Sequence, residues 1–154
     1  MSNLQVEESV ALARQVRRRH LVFGWWLLTG FVLLGITLES LHGFKVSWYL
    51  DPAFETRRLL WRLAHAHGTL LSLIQLGFSA AVSEDPPPTA ALRTTSTLLL
   101  LAGFVLPLGF FLGGITIYGG DPGPGIFLAP IGAILLLVAV VRIAWYVTYR
   151  RSSD

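Results

Sequence analysis

Four apolar runs of about twenty residues dominate this chain of 154 residues, and polar stretches separate them. A helix of that length matches the thickness of the hydrocarbon core of a bilayer. Only 14% of the residues are charged, whereas a soluble domain carries about a quarter. The sequence therefore predicts an all-α integral membrane protein, a four-helix bundle built from two antiparallel hairpins.

Turn and breaker residues set the predicted boundaries. Three consecutive prolines at 86–88 cannot continue a helix, so they separate the two hairpins. Gly43 is a stop signal for the first helix, and Asp51 followed by Pro52 is typical of a helix cap and first turn. We expect a cytoplasmic segment at 1–20, a transmembrane domain at 21–149 with helices at about 21–42, 61–83, 95–118 and 126–149, and a cytoplasmic tail at 150–154.

The N-terminal segment is polar and ends in a basic cluster before the first apolar run. Val6, Val10 and Ala13 recur at helical spacing, which indicates a short interfacial helix. A signal peptide is the alternative, but the apolar run lasts from Leu21 to Leu38 without a small-residue cleavage site. We interpret this run as a retained membrane helix.

The second hairpin carries mainly packing signals. Pro107 should kink the third helix because it removes a backbone hydrogen bond. The connector GGDPGPG at 119–125 is a tight-turn sequence. In the fourth helix, Ala129, Gly132 and Ala139 form a seam of small residues that favours close helix packing.

Charge and cysteine content narrow the function classes. The chain has no cysteine, which excludes disulfides, thiolate metal sites and cysteine nucleophiles. Its net charge of +3 comes from residues placed at predicted helix ends, so we exclude nucleic acid as a partner. Lysine and arginine are concentrated at the termini and the proline linker. This bias predicts an inner-membrane protein with both termini cytoplasmic and the first loop outside.

The segment from Glu39 to Gly68 collects three of the four histidines in a mostly apolar chain. On the first helix, a helical wheel places Glu39 and His42 on the same side as Gly24, Leu28 and Gly35. Charged groups are costly in a bilayer, so such a concentration at one depth indicates a functional site.

The second helix carries a polar and small stripe that continues from His65. Its further members are Gly68, Ser72, Gln75 and Ser79. Such a stripe should face protein rather than lipid. His67 lies about 160° away from His65 on an ideal wheel, so it should meet a different neighbour.

The cluster has the chemistry of a metal or haem site. Imidazole and carboxylate groups bind copper, zinc or iron, and imidazole alone binds the iron of haem b. Arginines beside them are suited to haem propionates or another anion, and anionic lipid headgroups are the alternative ligand for these arginines. The candidate metal ligands are Glu39, His42, His65 and His67, and the candidate anion-binding residues are Arg57, Arg58 and Arg62.

Two other functions remain open. The polar groups are also suited to joining helices, through a Glu39–His42 hydrogen bond, a Glu39–Arg62 ion pair or a bond from His65 to a carbonyl. The chain would then be a structural or accessory subunit, alone, in a homo-oligomer or with other membrane subunits. A small proton-coupled transporter or channel is the third hypothesis. No motif in the sequence is strong enough to assign an enzymatic activity. The apolar helices predict the lipid bilayer as a partner of the chain.

Two stretches of the chain resemble small bacterial four-helix membrane proteins of unassigned function. They are LESLHGFKVSWYLD, which contains HGFK, and ETRRLLWRLAHAHGTLL, which contains HAHG. The resemblance covers under a third of the chain and implies the fold without an activity. HAHG is also similar to histidine segments of haem–copper oxidase-like membrane proteins. That similarity implies a metal-ligand role for His65 or His67.

Overall fold

The computed structural model describes residues 3–82 and 89–150, which are mostly helical. The proline linker predicted at 83–88 and the tail from residue 151 lie outside the described residues. The elements are helix α1 Asn3–Gly43, helix α2 Ser47–Leu50, a 3-10 turn Pro52–Phe54, helix α3 Glu55–Ala81, helix α4 Thr89–Gly113, strands β1 Ile117–Tyr118 and β2 Asp121–Pro122, a second 3-10 turn Pro124–Phe127 and helix α5 Leu128–Arg150.

The first helix begins at Asn3 rather than near residue 21, so the predicted N-terminal segment continues directly into it. At about 1.5 Å per residue, α1 is roughly twice as long as the bilayer hydrocarbon core is thick. Leu12, Ala13 and Val16 explain the early start, because they are buried in one cluster with Leu92 of α4. Tertiary packing thus extends the helix beyond its apolar run.

The chain between α1 and α3 folds as its turn residues predict. The Asp51 carboxylate accepts a hydrogen bond from the Ala53 N–H at 2.9 Å, and Pro52 is the first residue of the 3-10 turn. This turn leads directly into α3, which therefore begins at Glu55 rather than near residue 61. Three arginines consequently lie within the first turns of α3.

The predicted tight turn after the third helix is a short antiparallel hairpin. Strands β1 and β2 pair Tyr118 with Asp121. Gly119 and Gly120 form the turn with φ of 59° and 90°, a left-handed conformation that glycine adopts without steric cost. Helix α4 runs through Pro107 and ends at Gly113, earlier than the predicted residue 118, because the hairpin follows.

The long helices pack in the order α1, α3, α4, α5, with a smaller contact between α1 and α4. The predicted small-residue seam of α5 is buried, with Ala139 fully covered. A Cβ atom at Gly132 would lie within 2.6 Å of the Leu106 Cα, so the glycine permits this close approach of α5 to α4. Helices α3 and α4 therefore form the centre of the fold.

Three described helical segments are long and apolar enough to cross a membrane, judged by length and composition: Leu4–Gly43, Thr89–Gly113 and Pro124–Thr148. Helix α3 is not among them, because it carries arginines and a polar stripe. Large apolar side chains remain exposed on the outer helices, as Trp26 on α1 (73% exposed) and Leu137 on α5 (63%) illustrate. Such surfaces require lipid, and they indicate a membrane protein.

Candidate functional site

A cleft of about 460 Å³ lies between the end of α1 and the beginning of α3. Its volume falls within the range of small-molecule sites. Four of the candidate site residues border it, together with apolar side chains from α1 and one tyrosine of α2. The residues that define the cleft are Val32, Gly35, Ile36, Leu38, Glu39, His42, Tyr49, Arg62 and His65.

His65 is the best-positioned ligand candidate in the cleft. Its Nδ1 lies 2.7 Å from the backbone oxygen of Phe31 on α1. A carbonyl oxygen only accepts hydrogen bonds, so Nδ1 carries the proton and donates. The Nε2 atom then holds a lone pair and makes no hydrogen bond within the described residues. Gly35 makes room for this arrangement, because a side chain there would meet the imidazole ring.

Glu39, His42 and Arg62 are exposed at the cleft and do not pair with one another. Across residues 3–82 and 89–150, the one ion pair joins Arg93 to Glu8, at 3.9 Å. The possible Glu39–Arg62 ion pair and Glu39–His42 hydrogen bond are therefore not formed. In the same part of the chain, no three His, Asp or Glu residues are grouped so that they could hold a metal ion.

The two remaining arginine candidates are engaged elsewhere. The Arg57 Nε donates to the Gly114 carbonyl at 3.0 Å, and the guanidinium lies 4.5 Å from the centre of the Phe54 ring. Arg58 donates to the carbonyls of Tyr49, at 3.0 Å, and Asp51, at 2.9 Å. These two arginines connect α3 to the turn after α4 and to the segment around α2. Of the three candidate arginines, Arg62 borders the cleft.

His67 lies on another side of α3, as the helical wheel predicts. Its Nδ1 donates to the Leu63 carbonyl at 2.8 Å, within the same helix. Its ring packs against Phe110 of α4, with ring centres 4.8 Å apart. His67 does not border the cleft, so its environment is helix packing rather than the candidate site.

Tyr49 is a cleft residue that the sequence did not single out as part of the site. Together with Trp48, it suggests an aromatic anchor at the membrane interface. In the structure it is 1% exposed and borders the cleft. Its phenol makes no hydrogen bond within the described residues. Among the described residues the buried side-chain oxygen without a partner is that of Thr69, so the Tyr49 hydroxyl keeps some exposed surface.

A second polar cluster, which the sequence also did not predict as a unit, is fully buried among α1, α3 and α4. The Gln75 Nε2 donates to the Leu99 carbonyl at 2.7 Å, which leaves the Gln75 Oε1 to accept from His20 Nδ1 at 2.5 Å. The His20 Nε2 then accepts from the Ser96 hydroxyl at 2.8 Å. The network ties three helices together and satisfies every polar group in it.

The position of His20 offered one sequence signal. It lies one helical turn before Gly24, on the side of α1 that carries Gly24, Leu28 and Gly35. Its neighbours in the basic cluster obscure that periodicity. The partner stripe on α3 was correctly predicted to face protein, since Ser72, Gln75 and Ser79 are buried.

Comparison with known proteins gives no match: no family model, no curated protein and no solved structure is similar to this chain. The class rests on the molecule itself. The described residues are almost entirely helical, and three of their helices are apolar enough to span a bilayer, which indicates a helical membrane protein. Its two polar clusters are the cleft between α1 and α3 and the buried network around His20.

Proposed function

We propose that this chain is a multi-pass membrane protein that binds haem in the cleft, where His65 would hold the iron. The supporting observation is the hydrogen bond from His65 Nδ1 to the Phe31 carbonyl. Metal-binding histidines commonly donate their other ring N–H to such an acceptor, which orients the ring and increases its basicity. The Nε2 atom is the atom left for iron.

Haem suits this cleft better than a bare metal ion. A copper, zinc or iron ion needs three or more protein ligands, and the described residues offer no such group. Haem supplies four nitrogen ligands itself, so one or two histidines suffice. His42 borders the same cleft and is the candidate for a second histidine that would hold the iron. When bound, haem would supply one-electron chemistry, which suits electron transfer.

The rest of the cleft is compatible with an amphipathic ligand. Val32, Ile36 and Leu38 provide an apolar wall for a flat ring. Arg62 makes no ion pair within the described residues and is placed to bind a propionate.

We also propose the membrane arrangement. Helix α3, flanked by α1 and α4, crosses the bilayer with the three apolar helices, so that four helices form two hairpins. The exposed arginines near the beginning of α1 support a cytoplasmic position for that end of the chain. The cleft then lies at the outer face of the inner membrane.

A structural or accessory subunit is the second candidate, and one set of contacts favours it. His65, Arg57 and Arg58 all donate to backbone carbonyls of neighbouring segments. These bonds join α3 to α1, to the turn after α4 and to α2. Under this alternative the cluster stabilises helix packing and holds no cofactor.

The visible spectrum separates the two candidates. Protein purified in mild detergent, incubated with haemin and then freed of unbound haemin should retain a Soret band with about one haem per chain. His65→Ala should abolish the band while circular dichroism still reports a helical protein. His67→Ala is the matched control. It also removes an imidazole that donates to a backbone carbonyl, but His67 lies on another side of α3, away from the cleft.

Two outcomes count against the proposal. A wild-type protein that retains no Soret band once unbound haemin is removed would overturn haem binding and favour the accessory subunit. A His65→Ala protein that keeps the wild-type band would show that a different residue holds the iron.

A further inference from the structure

We infer that Tyr49 and Arg62 together bind an anionic oxygen group of the ligand in the cleft, such as a carboxylate or a phosphate. This inference rests on the proposed function in taking the cleft to be a binding site. It does not require that the ligand be haem. The anionic group has two possible sources, a haem propionate and a phospholipid headgroup.

The first step is the state of Tyr49. Its side chain is 1% exposed, yet its phenol has no hydrogen-bond partner among the described residues. The described residues contain one buried side-chain oxygen without a hydrogen-bond partner, and it belongs to Thr69. The unpaired oxygen of Tyr49 therefore keeps some exposed surface. Since Tyr49 borders the cleft, a molecule in the cleft is the available partner for its hydroxyl.

The second step is that Tyr49 is held in place. Its backbone carbonyl accepts a hydrogen bond from Arg58 at 3.0 Å, which anchors α2 to α3. Trp48 packs edge-on against its ring, with ring centres 6.1 Å apart. A donor that is fixed before the ligand arrives loses little conformational entropy on binding.

The third step is charge. Arg57 and Arg58 donate to backbone carbonyls, so Arg62 is the arginine of this group that remains unpaired in the described chain. An arginine and a phenol both donate hydrogen bonds, and an anionic oxygen accepts from both. Glu39 borders the same cleft and repels an anion, so its charge opposes that of Arg62.

Haemin and haemin dimethyl ester test this inference, because the ester lacks the carboxylates but keeps the iron and the ring. Wild-type protein should bind haemin at least about tenfold more tightly than the ester. Tyr49→Phe and Arg62→Gln should each lower haemin affinity about tenfold and leave ester affinity unchanged. Glu39→Gln should raise haemin affinity, because it removes the repelling charge.

Matched controls carry the same chemical changes at exposed positions away from the cleft. Tyr118→Phe alters a tyrosine of the hairpin that is 92% exposed, and Arg14→Gln removes an exposed arginine near the beginning of α1. Both should bind the two porphyrins as the wild type does. A merely structural role of Tyr49 would change binding of both porphyrins equally.

A second measurement covers the lipid source. Native mass spectrometry of the purified protein with added dioleoyl phosphatidylglycerol should show one retained lipid if a headgroup is the ligand. Tyr49→Phe and Arg62→Gln should lose that adduct. If neither porphyrin binds but this adduct depends on the two residues, the inference stands and haem binding fails.

Equal binding of both porphyrins, unchanged in Tyr49→Phe and Arg62→Gln, would overturn the inference and leave haem binding intact. The inference would also be overturned if neither porphyrin binds and no phosphatidylglycerol adduct forms. The same holds if neither porphyrin binds and an adduct forms that neither variant weakens.

Discussion

The imidazole of His65 on α3 lies in the space beside Gly35 of α1, where the Cβ atom of any other residue would meet the ring. One helical turn away the roles of the two helices are exchanged, because the Phe31 ring of α1 lies against Gly68 of α3. Two aromatic rings therefore pack against two glycines across the α1–α3 interface. Glycine at position 35 is what allows the His65 ring to reach the Phe31 carbonyl.

Replacing Gly35 should consequently disturb both the interface and the candidate site. We expect Gly35→Ala to lower the free energy of unfolding by about 1–3 kcal/mol, as overpacked cores do. Gly30→Ala is the matched control, because nothing lies within 4 Å of a Cβ atom there and alanine favours helix. Thermal unfolding in detergent measures both. Equal stability of the two variants would contradict the packing described for Gly35.

The buried network should contribute more to stability than the exposed histidine of the cleft. His20→Ala removes two hydrogen bonds, leaves the Gln75 Oε1 and the Ser96 hydroxyl without a partner and opens a cavity. We expect a loss of about 2–4 kcal/mol in the free energy of unfolding. His42→Ala, at an exposed position, should change it by less than about 0.5 kcal/mol. Chemical unfolding followed by circular dichroism compares them, and a His20→Ala protein as stable as the His42→Ala protein would refute this role.

Arg58 should control the order of the segment that carries Tyr49. Its guanidinium donates to two carbonyls of that segment, so Arg58→Ala should loosen α2 while α3 stays folded. We expect amide hydrogen exchange across residues 44–54 to accelerate about tenfold, the equivalent of roughly 1.4 kcal/mol. Arg62→Ala is the control, since its guanidinium holds no such bond. Unchanged exchange in Arg58→Ala would mean that other contacts hold the segment.

The orientation of the protein can be measured directly, because the chain contains no cysteine. Single cysteines at Asp51 and Asp121 should react with a membrane-impermeant maleimide in intact cells. A cysteine at Glu8 should react only after the cells are permeabilised. The reverse pattern would place the cleft in the cytoplasm and contradict the proposed topology.

The sequence alone determined the helical class, the membrane environment and the inward side of α3. These follow from local quantities: apolar run length, the spacing of the stripe through Ser72, Gln75 and Ser79, and turn residues such as Asp51 and Pro52. The structure agrees with each, since the stripe is buried and Asp51 caps the turn. Helix ends were less predictable, because packing of Leu12 against Leu92 extends α1 beyond its apolar run.

Tertiary structure decided which polar groups have partners. Nothing local distinguishes Arg62, which borders the cleft, from Arg57 and Arg58, whose acceptors come from other segments. Likewise, His20 is buried because α1, α3 and α4 meet around it, and Tyr49 borders the cleft because α2 packs against α1 and α3. Periodicity sets which side of a helix faces inward. The partner of a side chain depends on how distant segments are placed, and that placement arises only when the helices pack together.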